Sequence, residues 1–243
     1  VAVVESDPVF PCGHADPFHR VSPLGITLLQ QMLDLAARHP EMLFPLAGLH
    51  PTSVYENYKT ELAQVEKALG NHTFYGIGEC GIDLYWDKSY YREQIKAFEH
   101  QLGIAKETGL PVIIHSRDSL EVIFEVLKKH PYTRGILHCF PGNAAEARQA
   151  IDMGYLLGIG GVVTFKKSQM ADTLREIGPA NIVLETDSPY LTPVPFRGKR
   201  NESSYIPLIA QKIAELTGLE TKKIEEITTQ NALNLFNLQC ENV

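Results

Sequence analysis

The sequence predicts an α/β fold in which parallel strands alternate with helices and close into a barrel, and three observations carry this prediction. Short apolar runs rich in β-branched residues recur at intervals of 20 to 40 residues. Each run is followed by a stretch whose apolar residues have helical spacing. The runs are apolar almost throughout, as in PVIIH and NIVLE, which is typical of parallel strands buried on both faces.

Six of these runs are predicted as strands because they are short, apolar and bounded by glycine, proline or polar residues. Their alternation with helices along the whole chain indicates a parallel sheet, since parallel neighbours need a crossover of about a dozen residues or more. The predicted strands are 44–49, 74–78, 111–114, 135–137, 155–160 and 182–184.

The segments between the strands show apolar stripes that can pack on a sheet. Asn143 precedes Glu146 by three residues, which is the spacing of a capping box at the start of a helix. Gly218 is predicted to end a helix, and Thr221 is predicted to cap the next one. The clearest stripes predict helices over 91–105, 120–127 and 206–216.

An open, doubly wound sheet is the alternative to a barrel for a chain of this pattern. The sequence has no glycine-rich dinucleotide loop after the first strand and no Walker sequence, so the motifs that accompany an open sheet are missing. A barrel of alternating strands and helices typically takes about 250 residues. The 243 residues are therefore predicted to form a single barrel domain, 1–243.

Composition narrows the class of protein. A net charge of −7 argues against a surface that holds nucleic acid through clustered Lys and Arg, so any nucleic acid must be bound locally. No apolar run approaches the roughly 18 residues of a membrane helix, and the first residues do not show the basic-then-apolar pattern that predicts a signal peptide. The cysteines form no CxxC pair, which predicts free thiols and a cytoplasmic protein without a membrane partner. They are Cys12, Cys80, Cys139 and Cys240.

Four of the predicted strands end in residue types that bind metals. Glu79 ends FYGIGE, His115 ends PVIIH, His138 ends GILH, and Asp187 ends IVLETD. The carboxyl ends of parallel barrel strands meet at one mouth, so the topology alone brings these side chains together. Any one of them could be structural, and Asp187 could cap a turn with Ser188. The coincidence on four strands favours a site for divalent ions, since imidazole and carboxylate together suit zinc, manganese or iron.

Other polar residues near the predicted strand ends are candidates for substrate binding. His50, in GLHP, is predicted to contact substrate, although the following Pro51 is equally compatible with a turn. Asp83 and Tyr85 could contact an anionic substrate or complete their own turn. Basic residues that follow the strands are predicted to bind phosphate groups, the alternative being a solvated charged face. These are Arg117, Arg197, Lys199 and Arg200.

These residues lie within a series of motifs that resembles the TatD family of metal-dependent deoxyribonucleases, a group of amidohydrolase-like barrels. The resemblance runs from about Ile26 to the end of the chain. In family order the motifs are GLHP, GECGIDLYWD, PVIIHSRD, GILHCF, GIGGVVTF, IVLETDSPYLTP, RGKRNE and TTQNALNLF. Such an ordered series is far more specific than any single motif.

The resemblance implies a (β/α)₈ barrel that binds one or two divalent ions, with Mg, Mn and Zn left open. It implies hydrolysis of phosphodiester bonds, usually 3′ to 5′ on single-stranded DNA. By position, Glu79 resembles a carboxylate that bridges two ions, and His115 and His138 resemble ligands of one ion. Asp187 resembles a ligand that also accepts the proton of the attacking water, whose pKa a divalent ion lowers toward about 7.

The sequence departs from the family pattern at its beginning. The first family strand ends in an HxH pair, and this sequence contains no HxH. Only VAVV, at 1–4, precedes 44–49 as a further strand, so we expect the chain to lack the first family strand and helix. Residues 5–25 match no family element, and we do not expect His14 or His19 to be ligands. On this view at most one ion is held firmly, and two unpaired sheet edges favour aggregation or pairing with another chain.

Two other functions remain open from the sequence. An amide or ester hydrolase, acting for example on an aminoacyl ester, could use the same metal centre, since activated water attacks carbonyl and phosphorus centres alike. A barrel that has lost a metal site and persists without activity is the second alternative. The sequence leaves the oligomeric state open, as it does the choice between DNA and RNA.

Overall fold

In the computed structural model, which describes residues 24–238, parallel strands alternate with helices along the chain. The strands form a single six-stranded sheet in which neighbours follow one another in chain order, and every pairing is parallel. The strands are β1 (Leu46–Ala47), β2 (Gly76–Asp83), β3 (Val112–Arg117), β4 (Gly135–Leu137), β5 (Tyr155–Ile159) and β6 (Ile182–Leu184).

Helices connect successive strands, as the parallel order requires. Short 3₁₀ turns follow β1 at Pro51–Ser53 and β5 at Gly161–Thr164, and a third lies at Ser203–Tyr205. The helices are α1 (Leu24–Arg38), α2 (Tyr58–Asn71), α3 (Tyr91–Thr108), α4 (Leu120–Lys128), α5 (Ala144–Asp152), α6 (Met170–Ile177), α7 (Ile206–Thr217) and α8 (Thr221–Phe236).

The predicted α/β barrel fold with parallel strands is confirmed. Strands β4 and β6 have the predicted bounds, and β2 continues to Asp83 instead of ending at Gly78. Within residues 24–238, β1 and β6 each pair with one strand only. The predicted strand at 1–4, like His14 and His19, lies outside the described residues.

The helix ends agree with the sequence in two cases and differ in one. The Asn143 side chain accepts hydrogen bonds from the first turn of α5, and the Asn143 N–H donates to the Glu146 carboxylate, so the predicted capping box is confirmed. Gly218 ends α7 in the left-handed region, with φ of 71°. The prediction that Thr221 caps α8 was wrong. Thr221 is the first residue of the helix, and the cap position is taken by Glu220, whose side chain makes no capping hydrogen bond.

Alternate residues of the strands from β3 to β6 belong to two separate cores, because successive side chains of a strand point to opposite faces. Ile114 and Leu137 pack outward among the helices. Ile113 and Ile136 pack inward, together with Val183 of β6. Two positions further along β3, and just beyond β4, the inward face therefore presents His115 and His138.

The last helix, α8, closes the inner core. Its Ala232 and Leu235 pack with the inward residues of β3, β4 and β6. The Asn231 side chain donates hydrogen bonds to the carbonyls of Ala180 and Ile182 at the start of β6, at 3.0 and 2.8 Å. Helix α8 thus covers the amino ends of the strands, and the carboxyl ends are left for polar residues.

The described helices and cysteines bear on two further predictions. No helix within residues 24–238 combines the length and apolar character that crossing a membrane requires. Cys80 and Cys139 are free thiols, as predicted. Cys12 and Cys240 lie outside the described residues.

Candidate metal centre

Glu79 lies at the centre of a group of imidazoles at the carboxyl ends of the strands. Its side chain is only 4% exposed. One carboxylate oxygen, Oε1, lies 3.6 Å from Nδ1 of His115 and 3.5 Å from Nε2 of His138. The other, Oε2, lies 3.6 Å from Nε2 of His50. The three imidazoles thus surround the carboxylate, and the ring centroids of His50 and His115 are only 4.6 Å apart.

The donor atoms of this group have the spacing of ligands around a metal ion. One donor atom each from His50, Glu79 and His115 lie within 4.8 Å of one another. Ligands bound at about 2.1 Å to a single Zn²⁺ or Mn²⁺ are roughly 3.0 to 3.4 Å apart, close to the spacings around Glu79. Oε1 of Glu79 is buried and has no hydrogen-bond partner in the described part of the chain. A buried, unpaired carboxylate oxygen is costly, and a bound cation would satisfy it.

Asp83 holds His115 in position from behind. The Nε2–H of His115 donates to Oδ2 of Asp83 at 2.9 Å, which leaves Nδ1 facing Glu79. The side chain of Asp83 is almost fully buried. A carboxylate that accepts from the second nitrogen of a ligating histidine fixes its tautomer and its orientation.

Glu185 plays the same part for His138. It is fully buried, and its Oε2 accepts from Nδ1 of His138 at 2.9 Å while its Oε1 accepts from the backbone N–H of Cys139 at 2.6 Å. The approach is close enough to require a glycine on the neighbouring strand: a Cβ atom at Gly158 would lie 2.2 Å from Oε2 of Glu185. The orientation of the His138 ring is therefore fixed by the carboxylate of Glu185, which directly follows β6.

Asp187 reaches the group from the loop after β6. Its Oδ1 lies 3.3 Å from Nε2 of His138, the nitrogen that faces Glu79. The loop is braced by buried Asn201, whose side-chain amide donates to the carbonyls of Thr186 and Tyr190. The backbone of Asp187 is left-handed, with φ of 57°. The side chain is partly exposed and so faces the mouth of the barrel.

Electrostatics favour a cation at this position. Burial opposes ionisation of Glu79, but the surrounding histidines outweigh it and hold the pKa of this carboxyl well below its ordinary value. Burial would lower the pKa of His115, yet Asp83 and Glu79 raise that pKa to about 9. The pKa of His138 is also raised, since Glu185 and Glu79 overcome its burial. The imidazoles thus sit in an excess of negative charge, which a divalent cation would neutralise.

The predicted phosphate-binding residues are exposed; Arg117 is the last residue of β3, and the other three lie in the loop after β6. The Arg117 guanidinium lies over the ring of Tyr85, 3.8 Å from its centroid. On the loop after β6, Arg197 lies over Phe165 at 3.8 Å. Lys199 and Arg200 are exposed on the same loop. None of the four is within the group around Glu79.

The structure brings together the predicted quartet and adds three residues to it. Glu79, His115, His138 and Asp187 lie side by side. His50, predicted as a substrate contact, lies beside Glu79. Asp83, predicted to contact substrate or complete a turn, contacts His115, and also accepts from two N–H groups of its own turn. Glu185 was missed, although its position two residues after inward-facing Val183 was a usable signal.

Two buried glutamines of α3 fix the strand ends from which these side chains project. The side-chain oxygen of Gln101 accepts from the backbone N–H of Leu49 at 2.7 Å, and its amide donates to the Leu49 carbonyl at 3.1 Å. The side-chain oxygen of Gln94 accepts from the N–H of Asp83 at 2.9 Å. Sequence patterns did not reveal them, because each looks like an ordinary polar residue of a surface helix.

Comparison with known families and solved structures shows similarity to TatD proteins. The family model described as TatD related DNase matches residues 18–237. The crystal structure of YjjV, a TatD homologue from Escherichia coli K12, superposes with a TM-score of 0.81 and 28% identity. That match covers 88% of this chain and 83% of the other.

Two curated relatives cover most of both chains. The uncharacterized metal-dependent hydrolase YabD of Bacillus subtilis is 39% identical over 201 residues, which is 82% of this chain and 79% of YabD. The 3′-5′ ssDNA/RNA exonuclease TatD of Erwinia tasmaniensis is 34% identical over 217 residues, which is 86% of this chain and 84% of that protein.

Proposed function

Because the chain belongs to the family of TatD related DNases, whose members include metal-dependent hydrolases, we propose that it is a metal-dependent phosphodiesterase that removes nucleotides from the 3′ end of single-stranded DNA. A relative that is 34% identical is named a 3′-5′ ssDNA/RNA exonuclease, which supports this substrate class. This activity is more specific than the names of all family members, since YabD is named only as a metal-dependent hydrolase.

The observation that carries the proposal is the placement of the two oxygens of Glu79. On the Oε1 side, His115, His138 and Asp187 would complete a position for one divalent ion. On the Oε2 side, His50 is the nearest histidine. Within residues 24–238 the position on the Oε1 side has more candidate ligands than the position on the Oε2 side. We therefore expect the Oε1 side to bind its ion more tightly.

Glu79, His115, His138 and Asp187 would hold the ion, and a divalent ion bound there would supply Lewis-acid chemistry, neutralising charge on the phosphoryl group and making a water molecule more acidic. The protein supplies orientation and proton transfer. Asp187, whose carboxylate is partly exposed at the mouth, accepts the proton of the attacking water. Glu185 keeps His138 aimed at the centre, and Asp83 does the same for His115.

Basic residues at the mouth account for DNA binding by a chain of net charge −7. Arg117 at the end of β3, with Arg197, Lys199 and Arg200 in the loop after β6, is exposed, and these residues bind the phosphates next to the one that is cleaved. Binding is then local, and the remaining acidic surface does not need to contact the nucleic acid.

The direct test follows 5′-labelled single-stranded DNA during digestion, with Mg²⁺, Mn²⁺ or Zn²⁺ and with a chelator. We expect a ladder of products shortened from the 3′ end, and no products with the chelator. Asp187→Asn should lower the rate by about 100-fold or more, the usual size of a lost proton acceptor.

Asp152→Asn is the matched control, because Asp152 is an exposed acid at the end of α5, directly before the amino end of β5 and so away from the mouth. It should leave the rate unchanged. An Asp187→Asn enzyme as fast as the wild type would contradict the proposed role. Hydrolysis of an aminoacyl ester without any cleavage of DNA would contradict the proposed substrate.

A further inference from the structure

Two adjacent aromatic side chains are exposed at the mouth of the barrel. Tyr85 is 52% and Trp86 65% exposed, and both lie in the loop that follows β2. Their ring centroids are 4.9 Å apart, with the planes at 89°. Neither ring is buried in a core, so packing of the fold does not account for them.

A cation is fixed against this pair. The guanidinium carbon of Arg117 lies 3.8 Å from the centroid of Tyr85 and 5.3 Å from that of Trp86, within the range of cation–π attraction. The sheet ladder places it there, because Asp83 is the register partner of Arg117 and the Leu84 N–H donates to the Arg117 carbonyl at 2.9 Å. Arg117 thus combines a flat surface with donors for a phosphate.

Asp83 connects the aromatic pair to the metal centre. Its Oδ1 accepts from the backbone N–H groups of Tyr85 and Trp86, at 2.9 and 3.2 Å. Its Oδ2 accepts from His115 at 2.9 Å. The same buried carboxylate therefore holds both the imidazole of His115 and the backbone from which the two aromatic side chains project.

Trp86 also forms one wall of a cleft between the loops after β1 and β2. The cleft has a volume of about 190 Å³, and its other walls include Pro51, Val54, Tyr55 and Tyr90. Pockets for whole drug-sized ligands are larger, at roughly 300 to 1,000 Å³. A cleft of this size with aromatic walls suits a single flat ring system.

We propose that Tyr85, Trp86 and Arg117 form a stacking platform for a nucleobase of single-stranded nucleic acid, next to the metal centre. The base stacks on the exposed ring of Trp86, and Arg117 binds the adjoining phosphate. Stacking of this kind tolerates any base and requires an unpaired one, so the platform selects single strands over duplexes. The inference rests on the proposed function, since it names how that site takes its substrate.

The sequence supplies a probe for the platform, because Trp86 is the only tryptophan in the chain. Chelator-treated full-length protein is titrated with a short oligothymidylate while tryptophan fluorescence is recorded. Stacking of thymine on Trp86 should quench the emission. An oligomer of the same length and charge whose sugars carry no bases should leave it unquenched at the same concentrations.

Kinetics of the metal-loaded protein provide the second readout. Trp86→Ala should raise KM for oligothymidylate about tenfold with little change in kcat, and Trp86→Phe should restore most of the loss, because phenylalanine retains a ring. The matched control is Tyr132→Ala. Tyr132 is 49% exposed and also carries a cation, the Nζ of Lys106 at 4.2 Å, but it lies before β4 and away from the mouth.

The two readouts separate this inference from the proposed function. DNA cleavage without quenching by oligothymidylate, or equal quenching by the base-free oligomer, would overturn the platform and leave the nuclease proposal intact. A KM for Trp86→Ala no higher than for Tyr132→Ala would overturn it as well. Quenching by oligothymidylate alone, in a protein that cleaves no DNA, would support the platform and contradict the nuclease proposal.

Discussion

At the scale of single residues, the centre depends on carboxylates that never face the mouth. Glu185 is fully buried, and each of its oxygens has a partner, His138 for one and the Cys139 N–H for the other. A buried charge is tolerated only when it is paired in this way. Its evident task is to hold Nε2 of His138 toward Glu79.

This role predicts the behaviour of Glu185→Gln. The amide keeps the size of the side chain but offers one acceptor instead of two, so it can no longer serve both partners. We expect metal affinity to fall by about 10- to 100-fold, the usual effect of losing the partner of a ligating histidine. Isothermal titration of chelator-treated protein with Mn²⁺ measures it.

Glu176→Gln is the control for that experiment, since Glu176 is exposed and pairs with Arg148 on the surface at 2.7 Å. It should titrate like the wild type. If Glu185→Gln did so too, the orientation of His138 would not depend on Glu185.

The sequence could predict which residues reach the mouth, but not how they pair. Glu79, His115, His138 and Asp187 end apolar strands, and this pattern is visible in the letters. Which carboxylate contacts which histidine depends on the register of strands far apart in the chain. For the same reason the sequence predicted His50 as a substrate contact but did not predict its place next to Glu79.

At the scale of elements, the strands were easier to predict than the helix that closes them. Strands β4 and β6 were found with their observed bounds because a buried parallel strand is apolar along its length. The inward packing of α8 could not be read in this way. An apolar helical stripe shows that a helix is covered, but it does not show which surface covers it.

The position of α8 predicts the effect of Leu235→Ala. Leu235 is buried with Ile113, Ile136 and Val183 in the inner core, so truncation should leave a cavity there. We expect the free energy of unfolding to fall by about 2 to 5 kcal/mol in urea titrations.

Leu219→Ala, at a 41% exposed position just before α8, should change the free energy of unfolding by no more than about 0.5 kcal/mol. Similar values for the two variants would mean that α8 does not close the inner core.

At the scale of the whole molecule, the acidic side chains at the mouth link folding to metal binding. The carboxylates around His115 and His138 raise the pKa of both imidazoles. Without a metal ion, protons bound to the two histidines therefore balance the negative charge of the carboxylates. An ion that binds the folded chain in their place should therefore stabilise it.

Thermal unfolding with and without metal tests this link. Saturation at about 100 times the dissociation constant should add about 2.7 kcal/mol to the free energy of unfolding, and chelation should remove it. We expect Tm to rise with Mn²⁺ or Zn²⁺ and to fall back with the chelator. A Tm that changes neither with added metal nor with the chelator would mean that the folded chain has no metal site of useful affinity.

Glu79→Gln tests most directly whether Glu79 is the central carboxylate of a metal centre that cleaves phosphodiester bonds. The measurement is the rate at which 5′-labelled single-stranded DNA is shortened when metal is returned to the chelated protein. We predict a rate at least about 100-fold below that of the wild type, since the amide cannot supply the anionic oxygen between the histidines. A Glu79→Gln protein whose metal-restored rate equals that of the wild type would contradict the claim.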